Sequence, residues 1–116
     1  RMKNIVTMCR QGLVRSVALA DVLKLHFEPV DVLPIGYFGN TKETQRMLCD
    51  WADSIIVMEE KYLKHIAPNE QDKAIVCEVG PDNYGNSHNP ILIDKCWRWA
   101  RIWSEELGIK EHFRSI

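Results

Sequence analysis

The sequence runs to 116 residues and 13.5 kDa, the size of one domain and enough to bury a core without disulfides or a structural metal. Fifteen Lys and Arg against 16 Asp and Glu give a net charge of −1, which argues against a generally basic nucleic-acid binder and a polybasic membrane anchor. With 46% hydrophobic residues and no run of about 18 apolar ones, the chain reads as neither disordered nor membrane-spanning, and no secretory signal pattern opens it.

Lys3 to Met8 (KNIVTM) is a short β-prone run. Ser16 to His26 follows with apolar residues at helical spacing and Ser16 as a candidate N-cap. Val30 to Ile35 (VDVLPI) reads as a second strand, and Pro34 near its end favours a sheet edge. Gly36 to Asn40 is a turn, and Thr41 to Ala52 a helix opened by Thr41. Ser54 to Met58 (SIIVM) is a short buried strand. Glu59 to Ile66 reads as a helix with Pro68 just past its end. Lys73 to Val79 is a fourth strand, Gly80 to Pro90 a long polar loop, and Pro90 to Leu107 a last helix stopped by Gly108. Strands alternating with helices predict a single α/β domain over residues 1–116, a parallel sheet with helices on both faces. Sites in such sheets lie at the carboxyl ends of the strands.

The cysteines Cys9, Cys49, Cys77 and Cys96 are far apart and form no C-x-x-C pair. They read as reduced thiols of an intracellular, cytoplasmic protein rather than a disulfide framework. His26, His65, His88 and His112 each stand alone, so no zinc site or other metal is expected.

Beyond the first strand come Cys9-Arg10-Gln11-Gly12-Leu13-Val14-Arg15-Ser16, and a helix begins. A cysteine, five residues, Arg and Ser is weak as a spacing, but a strand before it and a helix after it supply the context it needs. A loop curled at a helix N-terminus turns backbone N–H groups inward and makes an anion site, here from Arg10, Gln11, Gly12, Leu13 and Val14. The same positive field favours ionised sulfur at Cys9. The planar fork of Arg15 can bind two phosphoryl oxygens, and Ser16 could donate to the Cys9 sulfur. The plain alternative is a buried cysteine ending a strand.

In these residues the chain resembles the low-molecular-weight protein tyrosine phosphatases, whose Cys-x5-Arg-Ser/Thr loop also follows the first strand. Thr41-Lys42-Glu43 leading into Asp53-Ser54-Ile55-Ile56-Val57-Met58-Glu59 is similar to that family's helix and following strand. Pro81-Asp82-Asn83-Tyr84 is similar to its late Asp-Pro-Tyr element. The resemblance implies a three-layer α/β/α fold with a four-stranded parallel sheet in the order 2-1-3-4. It implies a phosphomonoesterase, of protein-tyrosine-phosphatase type, working through a phosphocysteine intermediate without metal or cofactor. Cys9 would be the nucleophile, Arg15 the phosphate ligand and Asp82 the general acid. The chain departs from the family in four places. GYFGN (36–40) replaces a longer segment, Gly12 stands where the family usually has Asn, Val14 where many members have a second Cys, and Asn83 where Pro follows the acid.

Asp82 alone would read as a turn residue; beside Cys9 and Arg15 it reads as the acid, with Glu78 and His88 as substitutes. Tyr84, Tyr37 and Phe38 could wall a pocket for an aryl phosphate or pack over the sheet edge. Trp99 and Trp103 share a helix face with Cys96 and read as core, while Trp97 points elsewhere; Arg46, Lys61 and Lys64 read as solvated faces. The expected partners are a phosphorylated protein or small aryl phosphate and the phosphate or sulfate anion, with no nucleic acid and no membrane. Two other classes stay open: a phosphate- or phosphopeptide-binding domain without turnover, and a cysteine-based arsenate reductase or IIB-type phosphocarrier. Arg15 argues against a carrier, and the lack of a nearby resolving thiol argues against a reductase.

Overall fold

The structure, a computed structural model, describes residues 1–112. In chain order it comprises β1 (Lys3–Cys9), α1 (Arg15–His26), β2 (Phe27–Glu28), β3 (Val30–Gly36), α2 (Lys42–Trp51) and β4 (Ser54–Val57). Two 3₁₀ turns follow (Glu60–His65 and Pro68–Lys73), then β5 (Ala74–Val76), α3 (Pro90–Leu107) and β6 (Lys110–Glu111). The main sheet has the order β3-β1-β4-β5 and is parallel throughout. The four strands expected from the sequence are β1, β3, β4 and β5, so this is the expected order 2-1-3-4. β1 is flanked on both sides and buried from Ile5 to Cys9, whereas Pro34 lies on the edge strand β3, where a missing N–H costs no ladder bond.

Topology positions the site. From β1 the chain moves outward to β3, then reverses past β1 to β4 and β5. Right-handed crossovers therefore place α1 on one face and α2 with the 3₁₀ turns on the other, and α3 returns to pack on α1. The reversal opens a crevice at the carboxyl ends of β1 and β4, the place where such sheets hold ligands. Ile5, Met8, Leu19, Leu23, Ile55, Ile56 and Leu92 fill the core between the layers.

The elements differ from expectation in three places. The segment expected as a helix over 59–66 is a six-residue 3₁₀ turn, Glu60–His65. Pro68 cannot donate a helical bond and drives Ala67 to extended backbone (ψ 143°), so no α-helix can propagate there. The fourth strand spans only Ala74–Val76. It is an edge, and the Trp99 indole N–H, 3.1 Å from the Val76 carbonyl, caps it from the side. The antiparallel pair β2–β6 joins the end of α1 to the chain beyond α3; two-residue strands carry no periodicity from which to read them.

Candidate active site

The loop between β1 and α1 is built on backbone contact. Gly12 takes φ +72°, and a Cβ there would lie 2.5 Å from the Gly36 nitrogen. Gly36 in turn presses on Gln11, whose carbonyl carbon a Cβ would meet at 2.3 Å. The two glycines interlock, so the loop is fixed against the end of β3. The Tyr37 N–H donates to the Cys9 carbonyl at 3.1 Å and the Phe38 N–H to that of Arg10 at 2.9 Å, which continues the pairing past the strand. Gly12, in place of the family's Asn, is thus required by the backbone that faces it.

Within this loop the Cys9 sulfur receives the Gly12 N–H at 3.2 Å and lies 3.1 Å from the Ser16 hydroxyl. Thr7 Oγ1 donates to the Ser16 carbonyl at 2.7 Å and ties the first turn of α1 to β1. The N-cap of that helix is Val14, not the expected Ser16, which lies within the first turn with its hydroxyl on the Cys9 sulfur; Val14 supplies no side-chain cap. First-turn N–H groups have no partner inside a helix, so an uncapped start beside buried Arg15 and Ser16 is a set of donors awaiting an acceptor.

Arg15 is 1% exposed. Its Nη1 donates to Glu59 Oε1 at 2.6 Å and to the Gly80 carbonyl at 3.1 Å, and its Nη2 to the Tyr62 hydroxyl at 2.7 Å. Nε has no partner among the described residues. Of the five guanidinium N–H groups three are engaged; Nε–H and one Nη2–H remain, the side-on pair that a phosphoryl group or carboxylate can bridge. Burial works against the Arg15 charge, but the hydrogen bonds to Glu59 and Tyr62 outweigh it and hold its pKa above the usual value. Burial likewise raises Glu59, yet Arg15, aided by Lys61, brings its carboxyl below the usual range. Glu59 and Tyr62 are partners of Arg15 that the sequence reading did not single out. The signal was there: Glu59 follows β4 at the same sheet edge on which Cys9 follows β1.

The remaining expected residues fall as follows. Arg10, Gln11 and Leu13 are exposed on the loop, and the Arg10 guanidinium lies over the Phe38 ring, 5.1 Å from its centre. Asp82 is exposed in the loop after β5, two residues beyond the Gly80 carbonyl that Arg15 holds. Glu78 Oε1 accepts the Gly80 N–H at 3.1 Å, bracing that loop, and His88 is exposed farther along it. The Tyr84 hydroxyl turns back onto its own loop, donating to the Val79 carbonyl, and Lys95 Nζ donates to it at 2.9 Å. Tyr37 stacks on His65 (3.8 Å, 10°) and tilts against Tyr62. All four cysteines are unpaired and buried. Cys77, enclosed and beside Cys96, has its thiol pushed far up by that burial, which leaves it inert. Among the described residues no cluster of His, Cys, Asp and Glu could hold a metal, and no helix is long and apolar enough to cross a membrane.

No family model matches the sequence, and no curated protein does. Solved structures do match. A low-molecular-weight phosphotyrosine phosphatase from Vibrio cholerae O395 is similar with a TM-score of 0.62 at 16% identity, over 91% of this chain and 99% of that one. The tyrosine phosphatase Wzb from Escherichia coli K30, in complex with phosphate, has a TM-score of 0.61 at 18% identity, over 93% and 100%. The YwlE arginine phosphatase from Geobacillus stearothermophilus has 0.61 at 16% identity, over 98% and 99%. The chain therefore has the fold of the low-molecular-weight phosphatases, as the sequence resemblance implied.

Proposed function

We propose that the protein is a cysteine-dependent phosphomonoesterase acting on an aryl phosphate, phosphotyrosine in a polypeptide above all. One observation carries this reading. The Cys9 sulfur sits at an uncapped helix start, held by the Gly12 N–H and the Ser16 hydroxyl, beside a buried guanidinium whose Nε is unpartnered. A nucleophile, an oxyanion cradle and a bidentate cation converge there, the set that phosphoryl transfer needs.

The Cys9 thiolate attacks phosphorus. The S–P bond forms as the bond to the aryl oxygen breaks, and the loop N–H groups with Arg15 hold the equatorial oxygens. Asp82 gives its proton to the departing oxygen. It then takes a proton from the water that attacks phosphorus, the S–P bond breaks, and the thiolate returns stabilised by Ser16. For Asp82 the support is its place two residues beyond Gly80, about 7 Å of chain. Tyrosine and arginine phosphatases share this fold, and the loop's rim favours the aryl substrate. Leu13 is 66% and Phe38 57% exposed there, an apolar border suited to an aromatic ring. Four unpaired thiols suit a reducing compartment, the cytoplasm.

The test is steady-state hydrolysis of p-nitrophenyl phosphate and of phosphoarginine by the wild type and by Cys9→Ser. The wild type is expected to prefer the aryl ester, and Cys9→Ser to lose more than the roughly 10²–10⁴ that removal of a general acid costs. Phosphate binding without turnover in the wild type would establish the binding-domain alternative instead.

A further inference from the structure

Beside the phosphate loop lies a cavity of about 330 Å³ that the chemistry above does not use. One side is a face of α2, with Lys42, Gln45, Arg46 and Cys49 at helical spacing; the other is the chain from Lys64 to Pro68. Tyr37, which follows β3, closes one end of the cavity, so that end adjoins the loop that follows Cys9. Gln45 Nε2 donates to the His65 carbonyl at 2.6 Å and struts the two sides apart. The wall toward the phosphate loop is the Tyr37 ring, flat on His65. Its own N–H is bonded to the Cys9 carbonyl, and it leans on Tyr62, the residue that holds Arg15.

The charge of the cavity is one-sided. Lys42, Arg46 and Lys64 are exposed at its rim and form no ion pair among the described residues. Its one lining acid, Glu70, is buried and already neutralised by Lys73 at 2.6 Å. Glu43 and Asp50 line an adjoining depression beyond Arg46, not this cavity. Cys49, Ile66 and Pro68 give an apolar floor. Arg46 and Lys64, which in the sequence read as solvated faces on separate elements, are brought to one rim by the fold.

We propose that this cavity is a substrate subsite that receives an acidic side chain, Asp or Glu, within about three residues of the phosphorylated residue in a polypeptide. The proposal rests on the phosphatase reading and names its substrate class. Three unpaired cations and no free acid select a carboxylate, while the apolar floor takes its methylenes. An extended chain advances about 3.4 Å per residue. A peptide whose phosphate fills the loop therefore crosses Tyr37 and lays its next residues over the rim.

The experiment compares phosphotyrosine peptides that carry Glu, Ala or Lys at positions one to three on either side. p-Nitrophenyl phosphate serves as the substrate with no flank. For the wild type, kcat/KM for the best-placed Glu peptide is expected to exceed that of its Lys counterpart about tenfold or more, the gap narrowing as salt screens it. Arg46→Ala/Lys64→Ala should erase that ranking while leaving p-nitrophenyl phosphate turnover within about twofold. Equal turnover of the Glu, Ala and Lys peptides by the wild type would overturn the subsite, as would a double variant that keeps the ranking. A wild type inert toward p-nitrophenyl phosphate would instead sink the phosphatase reading. The affinities of the same peptides, measured by fluorescence anisotropy, would then decide the subsite by the same ranking.

Discussion

At Gly12 a single hydrogen atom decides the shape of the loop. The residue combines a left-handed backbone with a neighbour, Gly36, whose nitrogen a Cβ would approach to 2.5 Å. Gly12→Asn, although it restores the family's usual residue and tolerates the left-handed backbone, overpacks against the Ile35–Gly36 backbone, at about 1–3 kcal/mol. Urea unfolding should show that loss, and turnover should fall with it; unchanged stability would mean that the two glycines do not interlock. The sequence marked Gly12 as a departure, but its reason lies 24 positions away and could not be read locally. Glu59 is the second residue to test. Glu59→Gln keeps a hydrogen-bond acceptor for Arg15 Nη1 and removes the charge that opposes the guanidinium. Because Arg15 is buried, a drop of about 10–100-fold in kcat/KM for aryl phosphates is expected, as for loss of one partner of an enclosed charge pair. A merely structural Glu59 would move the acid limb of stability and leave kcat/KM near the wild-type value. Its carboxyl titrates below the usual range in the fold, so its contribution is complete above about pH 4.3, the unfolded value, and is lost as pH falls through the lower folded value. Glu59→Gln should flatten that limb.

Element by element, long apolar runs were legible and short or punctuated ones were not. β1, β3 and β4 followed their hydrophobic strings to within a residue, and α3 ran from Pro90 to a Gly108 in the left-handed region (φ 72°), as its end signals predicted. The segment over 59–66 carried a helical pattern, but Pro68 arrived before an α-helix could pay back its nucleation. The β2–β6 ribbon escaped notice because side chains distant in sequence make it. Trp97 stacks on His26 at 3.8 Å and donates to Glu111 Oε2 at 2.7 Å, and Arg101 holds both oxygens of that carboxylate at 2.9 Å. Trp97 pointing away from Cys96 was expected; what it points at is the clasp between the ends of α1 and α3. Trp97→Ala should therefore cost about 2–4 kcal/mol. Thermal unfolding should register it, while kcat on p-nitrophenyl phosphate stays near the wild-type value, since the ribbon lies at the other end of the molecule from the phosphate loop. Loss of activity in the folded variant would contradict that separation.

Over the whole molecule, the sequence predicted the sheet and the loop after its first strand, because both follow from local pattern and right-handed crossovers. It did not reveal that Arg15 would be gripped from β4, nor that Arg46 and Lys64 would share a rim, because crevice partners are set by the reversal of the chain past β1. That same reversal couples site and stability. The Nε of Arg15 is a buried donor with no acceptor among the described residues, the start of α1 has no side-chain cap, and a buried donor costs about 1–3 kcal/mol while unsatisfied. An oxyanion that fills the loop removes the deficit and binds only the folded chain. Phosphate at 100 times its dissociation constant should stabilise the fold by about 2.7 kcal/mol, raising Tm by about 11 °C for a domain of this size. Cys9→Ser should keep that rise, because the N–H groups and the guanidinium remain. Arg15→Ala should abolish most of it, and Arg15→Lys should recover little, since an ammonium cannot present two parallel donors from one edge. A Tm rise equal in Arg15→Ala and wild type would place the anion outside the Cys9–Ser16 loop and remove the ground for a phosphatase altogether.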